Sequence, residues 1–144
     1  MKQVPALEYQ DISSGSTVRL SQSMAIVEFL EDAFLDTGSS LLPSDAGDRA
    51  LAREMAEVVN SGTQPLQNLS VMKRIDEESG GSMSGRSFAK DSIAIGLVVL
   101  EKLVSTHRSK LGEACGPYAL GTFAPTIADA YICLLYTSPS PRDS

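Results

Sequence analysis

The stretch SGTQPLQNLSVMKR, Ser61 to Arg74, is dense in uncharged polar side chains: Gln64, Gln67, Asn68 and Ser70 stand where a helix packed on one face would carry charges on the other. Pro65 sets its shape. Proline has no N–H to donate and its ring clashes with the carbonyl four residues back, so a helix arriving from the N-terminal side is kinked or interrupted here. On a helical continuation Gln64 and Asn68, four apart, share a face, while Leu66 and Leu69 turn towards the other side. Such a surface suits a ligand that is held by hydrogen bonds.

Working outward, a helix from about Asp48 carries Leu51, Met55, Val58 and Val59 as its apolar stripe and leads into Pro65. Beyond the quoted stretch, Glu77 to Ser87, with Gly80, Gly81 and Gly85 among serines, reads as a flexible loop. Phe88 to His107 reads as a largely buried helix in which Gly96 admits a close neighbour. Thr126 and Asp129 have the spacing of a reciprocal capping box, opening a helix that runs through Leu135. Tyr136 to Ser144, with two prolines among serines, cannot continue it; residues 136–144 read as a non-native tail of the kind a cloning linker leaves, outside fold reasoning.

Towards the N-terminus the strand signals appear. Gln3 to Tyr9 is an extended segment broken early by Pro5, Asp11 to Ser16 is turn-rich, and Thr17 to Leu20 alternates as a strand does, which makes a hairpin. Ser21-Gln22-Ser23 offers hydroxyls suited to capping, and Ile26, Leu30, Ala33 and Phe34 fall on one face of the helix that follows. The composition breaks at Leu41 to Gly47. The chain is therefore expected to hold a β-β-α part over 1–40, a linker over 41–47 and a helical part over 48–135.

Composition removes several function classes. The 144 residues carry 12 basic and 18 acidic side chains, a net charge of −6, and without a basic stripe nucleic acid is not an expected partner. Cys115 and Cys133 form neither a disulfide framework nor a C-x-x-C pair, which points to a reducing, cytoplasmic setting and to two small buried apolar residues. No metal site is expected. The apolar run Ile93 to Leu100 is far short of the ~20 residues that span a bilayer, and no signal peptide is evident, so no membrane is implied. Without one, the glycosylation pattern of Asn68-Leu69-Ser70 is a chance match.

Three places can carry binding chemistry. Val4-Pro5 lies at the mouth of a strand, where a cis bond would turn backbone groups outward to pair with an extended peptide; since only ~5–6% of X-Pro bonds in folded proteins are cis, the residues by themselves favour trans. Gln22-Ser23 sits where a strand feeds a helix, a place for a carboxylate, though plain capping is the commoner use. The third is Gln64 with Asn68, Leu69 and Ser70. Together they suit a small zwitterionic peptide. Thr126 and Asp129 read as structural, and His107 reads as a helix-end residue that favours the dipole.

These segments, in order, resemble one family. Gln3-Val4-Pro5-Ala6-Leu7, Ser21 to Leu30, Gln64 to Val71 and Thr126-Ile127-Ala128-Asp129 follow the pattern of the zeta-class glutathione transferases, also called maleylacetoacetate isomerases. The first, second and last are shared by glutathione transferases generally, while Gln-Pro-Leu-Gln-Asn-Leu-Ser points to the zeta class. The resemblance covers roughly Met1 to Leu135, with an insertion in the turn around Asp11 to Ser16.

The resemblance implies an α/β thioredoxin-like domain, here its β-β-α part, followed by an all-α domain: an incomplete glutathione transferase fold. It implies that Val4, before a cis Pro5, pairs with the cysteinyl backbone of glutathione, that Gln22 and Ser23 hold the γ-glutamyl end, and that Gln64, Asn68, Leu69 and Ser70 approach the same ligand. The family's catalytic Ser-Ser-Cys would lie upstream of Met1, so no catalytic residue is expected in this chain, and further helices would follow Leu135. The parent protein is then expected to be a cytoplasmic, homodimeric isomerase that acts on maleylacetoacetate with glutathione as cofactor. The chain itself is expected to be inactive, with a two-stranded remnant that is marginal alone. The alternatives are a non-catalytic binding or assembly module of the same fold and a helical interaction domain with a disordered arm.

Overall fold

The computed structural model describes residues 5–35 and 37–137. The chain divides into two compact units, Met1–Ser40 and Leu41–Ser144. The order of elements is β-β-α and then helices only, the fold class expected.

In the first unit β1 (Ala6–Gln10) pairs antiparallel with β2 (Thr17–Ser21), Leu7 opposite Leu20 and Tyr9 opposite Val18. The two-residue period puts these four on the half-buried face, while Glu8 and Arg19 pair across the exposed face at 2.7 Å. The turn is organised by Asp11. Its carboxylate accepts from the Ser13 amide at 2.8 Å and from the Ser13 and Ser14 hydroxyls at 2.6 and 2.7 Å, and Gly15 takes a φ of 69° that closes the loop. The Ser13 hydroxyl is the largest of the influences that lower the Asp11 pKa to about 2.

Helix α1 (Ser23–Ala33) meets the hairpin through Tyr9, whose ring lies edge-on to Phe29 at 5.4 Å and to Phe34 at 5.9 Å. The expected stripe of Ile26, Leu30, Ala33 and Phe34 is only partly realised, since Leu30, Ala33 and Phe34 are exposed and no α1 residue is fully buried. A two-stranded sheet is narrow, and it covers only the side of the helix that faces Tyr9.

The second unit is built on α2 (Ala46–Asn60), which begins two residues earlier than expected because Asp45 caps it, accepting from Gly47 and Asp48 amides at 2.8 and 3.0 Å. Its buried face is Ala52, Met55, Ala56 and Val59, with Leu51 and Val58 half-buried. The stripe is turned from the one expected because two alanines let neighbouring helices approach. Its main neighbour is α5 (Ile127–Thr137). That helix begins at Ile127 and extends two residues into the segment expected to be a tail.

Pro65 does interrupt the helix. After α2 come a turn, a 3-10 turn (Gln64–Gln67) and a separate α3 (Leu69–Glu78). The loop expected over Glu77 to Ser87 is shorter, because α3 continues to Glu78 and α4 (Gly85–Arg108) starts at Gly85. Gly85 is there for contact rather than flexibility: its amide donates to Asp76 at 2.7 Å, and a Cβ would meet the Met72 backbone. Helix α4 is not largely buried. Gly85, Ala89, Gly96 and Leu100 are inside, while Ile95 and Val98 are 67% and 66% exposed.

Candidate functional site

The candidate residues divide between the two units, and each set is described within its own. Val4 lies outside the described residues, and Pro5 is an exposed residue just before β1.

Gln22 and Ser23 join β2 to α1. Gln22 is the N-cap residue, but its side chain makes no capping bond, so the plain capping expected of Ser21-Gln22-Ser23 does not come from this side chain. Its backbone sits at φ 91° and ψ 119°, the one positive φ at a non-glycine position among the described residues. Such a conformation is strained for a residue with a Cβ. Two features thus coincide at Gln22: a helix-start position whose side chain is not used for the helix, and a backbone held where side chains are uncomfortable. The first bond of α1 runs from the Ile26 N–H to the Gln22 carbonyl at 3.1 Å, so the amides ahead of Ile26 have no carbonyl within the helix to reach.

The second set sits around Pro65, and here the expected geometry is corrected. Gln64 and Asn68 do not share an α-helical face. Gln64 opens the 3-10 turn, and Asn68 is an extended residue, φ −64° and ψ 136°, between that turn and α3. The cause is Pro65, which sits in the first turn, where a missing N–H costs nothing. Asn68 caps α3: its Oδ1 accepts from the Ser70 amide at 3.3 Å and the Ser70 hydroxyl at 3.2 Å. The structure therefore brings Asn68 and Ser70 together through the Asn68 Oδ1, and the Asn68 NH2 takes no part in the cap. Leu69 is 70% exposed and Gln64 half-buried.

Two residues beside this set lie outside the candidate binding residues. Thr63 is fully buried, and its hydroxyl donates to the Val58 carbonyl at 2.8 Å. Gln67, one of the amides of the quoted stretch, has a buried Nε2 with no acceptor among the described residues. A threonine next to a helix break carries no sequence signal of burial. The Gln67 amide was visible in the sequence, but its burial follows from the turn around Pro65.

Thr126 and Asp129 take the structural place expected, with a different bond pattern. The Asp129 carboxylate accepts from the Thr126 amide at 2.8 Å and the Thr126 hydroxyl at 2.9 Å, and its other oxygen accepts from the Ala119 amide at 2.8 Å. It thus ties the preceding loop to the start of α5. His107, in the last turn of α4, lies 3.9 Å from Asp48. Cys115 is half-buried and Cys133 exposed, so the expectation of two buried cysteines is not met. Among the described residues no cluster of His, Cys, Asp and Glu could hold a metal ion, and no helix is long and apolar enough to cross a membrane.

The donor set is one of neutral amides and hydroxyls, with lysine and arginine of α3 already engaged: Lys73 with Glu77 at 3.6 Å and Arg74 with Glu78 at 2.7 Å. It fits a ligand bearing carboxylate and peptide oxygens. No family model matches the chain. The maleylacetoacetate isomerase of Rattus norvegicus is 35% identical over all of this chain and 61% of its own length. That of Dictyostelium discoideum is 36% identical over 76% of this chain and 47% of its own. A crystal structure of the maleylacetoacetate isomerase from Anaeromyxobacter dehalogenans with glutathione in its active site superposes with a TM-score of 0.76, at 42% identity, covering 96% of this chain and 58% of that one. The chain thus spans 61% and 47% of the lengths of these two curated relatives.

Proposed function

The chain belongs to the zeta-class glutathione transferases, the family of the maleylacetoacetate isomerases, and on that premise we propose that its residues position glutathione for the cis-trans isomerisation of maleylacetoacetate to fumarylacetoacetate, a step in tyrosine and phenylalanine breakdown. What supports this reading most is Gln22, a strained helix-start residue whose side chain does no capping.

What glutathione supplies when bound is a thiolate nucleophile able to add to, and leave from, the cis double bond of a maleyl acid. The residues of this chain do the holding. Gln22 and Ser23, at the start of α1, offer amides and a side-chain carboxamide to the γ-glutamyl end. Gln64 and the NH2 of Asn68 offer donors to the ligand's other oxygens, and Val4 takes the role of backbone partner that the family pattern gives it. This is catalysis by orientation, in which a thiol and a double bond held together replace a chance encounter. Lowering the thiol pKa falls to a Ser-Ser-Cys segment, which these 144 residues do not contain, so the chain on its own binds without turning over. We assign it a cytoplasmic, homodimeric setting on the same grounds, to be checked by fractionation and sedimentation.

The test is a titration of the 15N-labelled chain with glutathione, beside an isomerisation assay. Shifts centred on Val4, Gln22, Ser23, Gln64, Asn68, Leu69 and Ser70, with no turnover, are expected. Absence of any shift overturns the binding role, and turnover by these 144 residues overturns the assignment of thiol activation to Ser-Ser-Cys.

A further inference from the structure

Helix α4 packs on α2, α3 and the 3-10 turn through Gly85, Ala89, Gly96 and Leu100. Its opposite side carries a second stripe, Asp91, Ala94, Ile95, Val98, Val99 and Lys102, and every one of these residues is exposed, Ile95 and Val98 to 67% and 66%. A single apolar side chain in solvent is ordinary, whereas a contiguous apolar stripe along one helix face marks a contact surface. Asp91, Ile95, Val98 and Lys102 follow one another at steps of four, three and four residues, the alternation of a coiled-coil seam. The stripe also reads alike from both ends. Asp91 and Lys102 lie equally far from the midpoint between Gly96 and Leu97, and so do Ile95 and Val98.

We infer that this face binds a second copy of the chain, α4 against α4 in antiparallel order, about a two-fold axis at the level of Gly96 and Leu97. In that order Ile95 of each copy meets Val98 of the other, and Asp91 meets Lys102 at both ends. A two-fold interface uses one patch twice, so a patch that contacts itself has to be self-complementary. Parallel order would set Asp91 against Asp91 and Lys102 against Lys102, and like charges in contact repel. The charges therefore choose the occupant and its direction, while the apolar residues between them supply the attraction. Neither Asp91 nor Lys102 makes an ion pair among the described residues. One pair of helices buries less than a standard interface, so the association is weak, with a dissociation constant of about 10–100 μM. The inference is independent of the glutathione reading; it names a surface for self-association, which the homodimeric setting proposed above leaves open.

The test is sedimentation equilibrium of the 144-residue chain from about 5 to 500 μM, a range that brackets the expected dissociation constant. A rise from monomer towards dimer mass with concentration is expected. Val98→Glu, Asp91→Lys and Lys102→Asp change exposed positions, and far-UV circular dichroism checks that each variant keeps its helices. Each should weaken association by about tenfold or more, Val98→Glu by bringing a charge into the seam and the two reversals by setting like charges together at both ends of the pair. Mixing the Asp91→Lys chain with the Lys102→Asp chain should restore association to within about threefold of wild type, because lysine then meets aspartate at both ends. Residues that act only within their own chain would give no such rescue. A monomer at every concentration overturns the inference. A dimer that none of the three substitutions weakens, or that mixing the two reversals does not restore, overturns the assignment to α4 and leaves the homodimeric setting to another face.

Discussion

Gly96, in the middle of α4, lies directly against Thr63. A Cβ at position 96 would run into the Thr63 hydroxyl and lie 3.1 Å from its Cγ2. Thr63 has no room to yield, being fully buried with its hydroxyl bonded to Val58. The contact holds α4 beside the turn that carries Gln64 and Gln67.

Gly96→Ala should therefore destabilise the second unit by about 1–3 kcal/mol, the usual cost of overpacking. Urea unfolding followed by far-UV circular dichroism reads the change. Thr63→Ala in the Gly96→Ala background should recover part of it, since it removes the hydroxyl that a Cβ at position 96 would strike, although the bond to Val58 goes with it; full additivity of the two substitutions would show that the contact does not matter.

Asp129 joins three donors from two segments. Asp129→Ala leaves the Thr126 and Ala119 amides unmet and should cost roughly 2–3 kcal/mol. Asp129→Asn keeps an acceptor and should cost less. A loss below half a kcal/mol for Asp129→Ala, measured by denaturant unfolding, would remove this residue from the structural set.

Gln22→Gly should relieve a strained backbone and stabilise the first unit by roughly 1 kcal/mol. On the proposed function the same change lowers glutathione affinity, because the carboxamide goes with the strain. Thermal unfolding and a glutathione titration on one preparation give both numbers, and a variant that gains stability without losing affinity would argue that Gln22 holds no ligand.

The hairpin turn should respond to acid. Asp11 has its pKa lowered to about 2, first by the Ser13 hydroxyl and then by that of Ser14. A carboxyl whose folded pKa is depressed contributes stability that is present above its unfolded value, near 4, and is lost as pH falls through the folded one. The Ser13 amide should thus keep its hydrogen-bonded chemical shift down to about pH 4 and lose it towards pH 2. Asp11→Asn should abolish that pH dependence, and a midpoint at the ordinary aspartate value would remove the hydroxyl bonds from the account.

Much of the fold was legible in the sequence because it rests on local chemistry. Two-residue alternation marks β1 and β2, Thr126 with Asp129 marks the start of α5, and a proline after a helical stripe marks the interruption at residue 65. These signals act within a few residues, so they can be read along the chain. What the break at Pro65 becomes is another matter. Whether residues 64–67 form an α-helix or a 3-10 turn depends on Pro65 together with the seat of Thr63 against Gly96, a contact between positions 33 residues apart. That choice decides whether Gln64 aligns with Asn68 or with Gln67.

Burial follows the same division. Periodicity marked Phe88 to His107 as apolar enough to be buried, yet the packed face of α4 is defined by Gly85, Ala89, Gly96 and Leu100, three of them small, while Ile95 and Val98 face outward. Side-chain size indicates how much surface a residue can bury. Only the approach of α3 and the 3-10 turn determines which side is covered, because small residues permit contact that large ones prevent. The sequence by itself determined the family, the order of elements and the set of amides around Pro65. The tertiary structure decided which of those amides stand together, since helix type and close approach depend on partners distant in the chain.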